Sequence, residues 1–226
     1  MDNKEFKGRF VKLFTTQLII AIVLFIVTLT AFVAITDEIV LEHESTFDTI
    51  IYSKVSTIDS PAMTHIFEAV TFFGSRDFLL PAYVILILIF LKKKKWALAI
   101  DVTFIGLTTT LLLDLLKNIF KRTRPLDPLI QNVTGFSYPS GHSFSAYTFY
   151  GLIVFIIWKT GISNAWKIVA TILFFIVATS IAFSRVYLRV HYPSDVIAGF
   201  CLSVIWLIIS LWLLKKKNKY LPGKKL

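Results

Sequence analysis

Six long apolar runs, over residues 13–36, 77–91, 96–116, 143–158, 166–183 and 196–214, constrain this chain more than any other feature. A water-soluble domain has nowhere to hide that much unbroken hydrocarbon. Runs of this length are the signature of helices that cross a bilayer. The residue content agrees: 56% of the chain is hydrophobic, against about 45–50% for a soluble domain. The sequence therefore predicts an all-α integral membrane protein with six transmembrane helices. It reads as a single membrane-embedded domain over 1–226, since 226 residues leave no room for a second folded unit beside six spans. A crossing helix needs about 20 residues. The second run has 14 between Asp77 and Lys92, so it is expected to extend at both ends, with lysine stems reaching to the interface. The first run carries no convincing small-residue cleavage site and reads as a retained span. Cys201 sits in an apolar run and, as the single cysteine, has no partner for an internal disulfide.

The net charge of +10 could suggest a nucleic-acid binder, but its distribution does not. Lys4, Lys7, Arg9 and Lys12 precede the first run, and Lys92, Lys93, Lys94 and Lys95 follow the second. Lys159 and Lys167 flank a short loop, and Lys215, Lys216, Lys217, Lys219, Lys224 and Lys225 end the chain. Sixteen of the 24 basic residues thus fall in four segments separated by pairs of apolar runs. That is the positive-inside pattern, with both termini cytoplasmic. Nucleic-acid binding is set aside on this ground.

The connections on the opposite side are then 37–76, 117–142 and 184–195. The first is acidic, with Asp37, Glu38, Glu42, Glu44, Asp48, Asp59 and Glu68. It also carries Ile39, Phe47, Ile50, Ile51 and Val55 at helical spacing. This pattern predicts one or two amphipathic helices at the outer surface between spans 1 and 2. They either join two spans or shape substrate access. His43 and His65 belong to this region and read as surface residues. Asp101 reads as a residue near the interface. Asp114 stands three positions before Lys117, salt-bridge spacing on a helix.

Eight basic residues remain, and six of them, Lys117, Lys121, Arg122, Arg124, Arg185 and Arg189, lie in the second and third outer connections. They share those connections with His142 and His191. Cations and histidines gathered at one membrane face make an anion site, for which arginine supplies a two-pronged donor. The stretch Pro139-Ser140-Gly141-His142 opens an apolar helix. Ser140 can cap it, Gly141 lets a ligand approach the backbone, and the first-turn N–H groups point at the anion. A similar start, Tyr192-Pro193-Ser194-Asp195, precedes the last run.

Together, "KNIFKRTRP" at 117–125, "PSGH" at 139–142 and "SRVYLRVHYPSD" at 184–195 resemble the three signature motifs of the type-2 phosphatidic acid phosphatase superfamily: K-x6-R-P, P-S-G-H and S-R-x5-H-x3-D. Every defining residue is present, in order and at the family's spacing. Many relatives continue the first motif as Arg-Pro-Arg-Pro; here Arg124-Pro125 is followed by Leu126-Asp127-Pro128. The resemblance implies that Lys117, Arg124, Ser140, Gly141 and Arg185 bind phosphate. It implies that His191 attacks phosphorus, that Asp195 orients the His191 imidazole, and that His142 protonates the leaving oxygen. It implies neither a metal nor a cofactor. The chemistry is coherent: a histidine nucleophile divides hydrolysis into two easier steps, and fixed cations neutralise the phosphate.

The chain is accordingly expected to be a metal-independent lipid phosphatase of the cell membrane, of bacterial character, with its site on the extracytoplasmic side. Its partners are a lipid phosphate and the bilayer, with no obligate protein partner evident. Among substrates, phosphatidylglycerophosphate ranks first, undecaprenyl pyrophosphate second and phosphatidic acid third. A non-hydrolytic lipid transporter or scramblase on the same fold is disfavoured by the intact His191 and Asp195. A vanadate-dependent haloperoxidase is disfavoured by the six spans. The topology is testable in a Cys201→Ser background. A cysteine introduced at Leu126 or Val133 should react with an impermeant thiol reagent in intact cells, and one at Lys94 or Lys217 should not; the reverse pattern overturns it.

Overall fold

The computed structural model of the chain describes residues 3–41, 46–131 and 133–220, with side chains over 16–39, 46–131 and 133–214. Glu42, His43, Glu44, Lys224 and Lys225 lie outside the described residues, as do the side chains of Lys4, Lys7, Arg9, Lys12, Lys215, Lys216, Lys217 and Lys219. The described chain is helical, in the order α1 (Asn3–Ile35), α2 (Thr46–Val55), α3 (Pro61–Phe72), α4 (Arg76–Lys92), α5 (Trp96–Phe120), α6 (Gly141–Trp158), α7 (Asn164–Tyr187) and α8 (Pro193–Tyr220). A wider π-type turn, Thr36–Leu41, prolongs α1.

Six apolar stretches are long enough to cross a membrane: Leu18–Ile39, Pro61–Lys92, Trp96–Phe120, Gly141–Trp158, Asn164–Tyr187 and Pro193–Leu214. Each matches one expected span. The second differs most. The segment 61–72, expected in an amphipathic connection, forms α3 and runs into α4 as one apolar stretch. Glu68 and His65 are the two ionisable residues in α3, beside Ile66, Phe67, Val70 and Phe72. Ser60 starts α3 by accepting a hydrogen bond from the Met63 N–H, and Pro61 occupies its first turn. Ser75 caps α4 in the same way through the Phe78 N–H. Of the one or two helices expected between spans 1 and 2, α2 lies outside the apolar stretches, whereas α3 is continuous with the second.

Much of the surface is hydrocarbon. Leu18, Ile22, Val23, Ile26 and Val27 of α1 are about half exposed, and Leu107, Leu111, Leu115 and Ile119 of α5 more so. Water would penalise that surface, whereas a lipid environment accepts it. Inside, α6 packs against both α7 and α8, and α8 packs against α1. One core joins Leu79 of α4, Ala146, Phe149 and Tyr150 of α6, and Ala178 and Ile181 of α7. A second joins Phe90, Val102, Ile105, Leu152 and Leu214. A third cluster, Tyr187, Leu188 and Val190, sits under Val55, Met63, Phe67, Leu129 and Val133 and anchors the loop after α7.

One contact fixes the angle at which α8 meets α6. A β-carbon at Gly199 would lie 2.9 Å from the Ser140 carbonyl oxygen, 2.9 Å from Ser143 Cβ and 3.1 Å from the Phe144 nitrogen. Those neighbours are mostly backbone and cannot swing aside. Gly199→Ala should therefore push α8 away from the start of α6. The expected cost is about 1–3 kcal/mol of overpacking, seen as a lower melting temperature in detergent together with reduced turnover. A variant with wild-type stability and turnover would show that the helices tolerate a wider crossing.

Candidate active site

The site forms where α5, α6, α7 and α8 end or begin on one face of the bundle. Helix α5 stops because Lys121 adopts a left-handed conformation, φ 49°, with its N–H closing on the Lys117 carbonyl. The chain then crosses the ends of the other helices as far as Ser140. That residue caps α6 by accepting a hydrogen bond from the Ser143 N–H, as its motif predicts. The Ser140 N–H donates to the Asp195 carbonyl oxygen at 3.0 Å, which ties the starts of α6 and α8 together. Between them, Arg189, φ 55°, reverses the chain after α7.

At the centre lies His191, 2% exposed. Its Nδ1 is 3.3 Å from Asp195 Oδ2, and its Nε2 is 3.2 Å from the Arg124 Nη1. Arg124 is held by backbone oxygens: it donates to the Gly135 carbonyl at 2.9 Å, to Val190 at 2.7 Å and to Thr134 at 3.1 Å. Lys117 donates to the Phe136 carbonyl at 2.5 Å. Among the described residues it makes no ion pair with Asp114, contrary to the helical spacing; the loop carbonyl has taken its amine. Arg185 is buried and donates through Nη1 to Thr71 of α3 at 2.8 Å, while its Nε is buried with no partner among the described residues. An unsatisfied guanidinium N–H in a dry site is costly unless a ligand completes it. His142, Arg185, Arg124, Lys117 and His191 lie within electrostatic reach of one another.

Two expectations need adjustment. Gly141, read as leaving room for a ligand, is small for a packing reason as well: a β-carbon there would sit 3.0 Å from Leu113 Cδ2 of α5. The acidic connection is not wholly superficial either. His65 is a surface residue paired with Glu68, 81% and 43% exposed, but Asp48 is 1% exposed and belongs to the site. Asp48 Oδ2 accepts from Arg122 Nη2 at 2.7 Å and from the Ser194 hydroxyl at 2.6 Å, and its Oδ1 accepts from the Ser194 N–H at 2.8 Å. Arg122 in turn donates through Nη1 to Asp195 Oδ1 at 2.6 Å. Ser137 is a further residue the motifs do not mark; its hydroxyl donates to Asp195 Oδ2 at 2.5 Å. Ser137 stands two positions before the "PSGH" motif and Arg122 inside "KNIFKRTRP", so proximity to the motifs was the available signal. Nothing in the sequence distinguishes Asp48 from its acidic neighbours.

An open cavity of about 610 Å³ meets this centre at Arg122 and Tyr192, and Tyr52, Asp127 and Arg189 also line it. Arg189 carries an ion pair to Asp59. The described residues hold no cluster of three His, Cys, Asp or Glu side chains able to grip a metal. The centre can instead hold a tetrahedral anion through guanidinium and ammonium groups, with an imidazole nitrogen beside it.

The chain matches the family model of the PAP2 superfamily over residues 95–219. It is 33% identical over 151 residues to phosphatidylglycerophosphatase B of Bacillus subtilis (strain 168), covering 66% of this chain and 73% of the relative. A crystal structure described as the first transmembrane PAP2 type phosphatidylglycerolphosphate phosphatase, from Bacillus subtilis, superposes with a TM-score of 0.72 at 28% identity, over 91% of this chain and 98% of that one. The crystal structure of Aquifex aeolicus LpxE shares the fold, with a TM-score of 0.58 at 24% identity over 73% of this chain and 94% of that one.

Burial gives the site a pH signature. Desolvation pushes the His191 imidazole from its ordinary 6.5 down to about 3, against the opposing pull of Asp195. The unfolded chain takes up this proton near pH 6.5, the folded chain only near 3. Between those values the unfolded state binds more protons, so stability falls as the pH is lowered through the window. Wild-type protein in detergent should therefore lose melting temperature between pH 6.5 and 4.5 more steeply than His191→Asn. Parallel curves would mean that His191 titrates normally in the fold.

Proposed function

The chain belongs to the PAP2 superfamily and is a membrane lipid phosphatase, and within that family we propose that it hydrolyses phosphatidylglycerophosphate to phosphatidylglycerol and phosphate through a phosphohistidine at His191. The observation that carries this reading is the setting of the His191 ring, with Nδ1 toward Asp195 and Nε2 toward Arg124. An imidazole held by a carboxylate on one nitrogen presents the lone pair of the other to whatever the cations bind. The substrate choice rests on the Bacillus subtilis matches in sequence and in structure, both named for phosphatidylglycerophosphate.

In the proposed sequence, Lys117, Arg124, Arg185, the Ser140 hydroxyl and the Gly141 amide receive the phosphate. His191 Nε2 attacks phosphorus as the P–O bond to the lipid glycerol breaks, and His142 gives a proton to the departing alkoxide. Water then attacks the phosphohistidine and loses its proton to His142. The N–P bond breaks, inorganic phosphate leaves, and both imidazoles return to their starting forms. Asp195 stabilises the positive charge that His191 carries while bonded to phosphorus. Fixed cations do the work that a metal would do elsewhere. The site is proposed to face the extracytoplasmic side, with both termini in the cytoplasm.

Phosphate release from purified phosphatidylglycerophosphate, undecaprenyl pyrophosphate and phosphatidic acid, with and without EDTA, tests the substrate and the metal independence. The first lipid should be turned over fastest, and EDTA should have no effect. The two histidines should separate by leaving group. His142→Ala should lose most activity on the lipid, whose alkoxide leaves poorly, and keep a larger share on p-nitrophenyl phosphate. His191→Ala should lose both. Equal losses on both substrates would remove the division of labour, and EDTA-sensitive activity restored by magnesium would remove the site as proposed.

A further inference from the structure

The family motifs leave Arg122 and Asp48 without a role, yet these two residues occupy the best-bonded position in the site. Arg122 sits in the loop after α5 and Asp48 on α2, 74 residues apart in sequence. The Arg122 side chain is 12% exposed and those of Asp48 and Asp195 are 2% and 0%. Burying two carboxylates beside one another is unfavourable unless a cation lies between them. Arg122 is that cation. Its Nη1 donates to Asp195 Oδ1 at 2.6 Å and to the Ser194 hydroxyl at 2.8 Å, and its Nη2 to Asp48 Oδ2 at 2.7 Å. The guanidinium carbon lies 4.1 Å above the Tyr192 ring. A planar fork bonded at both prongs and stacked on a ring has little freedom to turn.

The consequence falls on Asp195. Its two oxygens have separate duties: Oδ1 receives Arg122, and Oδ2 receives the Ser137 hydroxyl, the Tyr192 N–H at 2.9 Å and the His191 Nδ1 at 3.3 Å. Removing the bond at Oδ1 would free the carboxylate to rotate and would release the oxygen that faces His191. Asp48 supports the arrangement from behind. It also binds the Ser194 N–H in the first turn of α8 and so holds that turn against α2.

We propose that Arg122, braced by Asp48, is a positioning residue for the phosphatase reaction: it fixes the rotation of the Asp195 carboxylate and, through it, the ring of His191. The amphipathic helix α2 is then part of the catalytic apparatus rather than a connector. This inference rests on His191 being the nucleophile. Arg122 touches neither the imidazole nor the phosphate site, so its loss affects the alignment of the attacking nitrogen and not substrate binding.

The test is steady-state kinetics of Arg122→Lys, Asp48→Asn and the double variant, on phosphatidylglycerophosphate and on p-nitrophenyl phosphate, with melting temperatures measured in the same detergent. Lysine keeps the charge but cannot bridge two carboxylates, so Arg122→Lys should lower kcat about 100-fold, the order of loss for a misaligned reacting group. KM should stay near the wild-type value. Asp48→Asn should lose less, and the double variant should be no slower than Arg122→Lys, because both changes break the same linkage. Gln131→Ala, on the same loop but exposed and away from the cavity, is the control and should behave as wild type. Wild-type kcat in both single variants overturns the proposal. So does a loss of melting temperature with kcat per folded molecule unchanged, which describes a brace alone. If Arg122→Lys does not accumulate as folded protein, Asp48→Asn decides by the same criteria. His191→Ala run in parallel separates the two readings: if it stays active, the nucleophile assignment has failed, whereas a dead His191→Ala beside a fully active Arg122→Lys sinks the positioning role alone.

Discussion

A carboxylate with no exposed surface, Asp195, is the point on which the described structure converges. A buried charge of this kind persists only if almost every lone pair is used. Arg122, Ser137, the Tyr192 N–H and His191 supply those bonds, and the Asp195 carbonyl accepts the Ser140 N–H. These partners come from the loop after α5, from the start of α6 and from the turn before α8. Satisfying one carboxylate therefore draws three separate parts of the chain into register, and the motif residues Arg124 and Gly141 follow because they lie near those partners in sequence.

The rest of the fold serves this convergence. The bundle is tight where α6, α7 and α8 cross and greasy where it faces outward. Gly199 allows the starts of α6 and α8 to approach to backbone contact. Thr71, brought by α3 against α7, receives the buried Arg185 and leaves its Nε without a partner among the described residues. Rigidity of this sort suits a reaction whose demands are mostly placement and charge neutralisation. A phosphoryl group in flight gains more from fixed donors than from adaptable ones, since fixed donors need no reorganisation as charge moves.

Membership in the PAP2 superfamily accounts for the cations, the two histidines and Asp195. It does not account for Asp48, which enters from the segment before the region matched by the family model, residues 95–219. A short helix between the first two spans, α2, has here been recruited into a buried ionic network. That arrangement couples the open cavity lined by Asp48, Tyr52 and Arg122 to the carboxylate beside His191.

The sequence by itself determined the class of fold and the number of spans, and it marked the motif residues that the structure brings to one face. Span prediction rests on the local cost of exposing a peptide group to hydrocarbon, which each helix must meet alone. The motif residues are legible because their spacing is set by single turns at helix ends, as with Ser140 over Ser143 or His191 four residues before Asp195. Tertiary structure decided the remainder. It placed α3 with the second span, turned Lys117 to the Phe136 carbonyl instead of Asp114, and made Gly141 a packing residue against Leu113. It also selected Asp48 from a row of acidic residues to meet an arginine 74 positions away. No local pattern marks such a partner, because the energy that favours it comes from burial, and burial is a property of the assembled bundle and not of the segment.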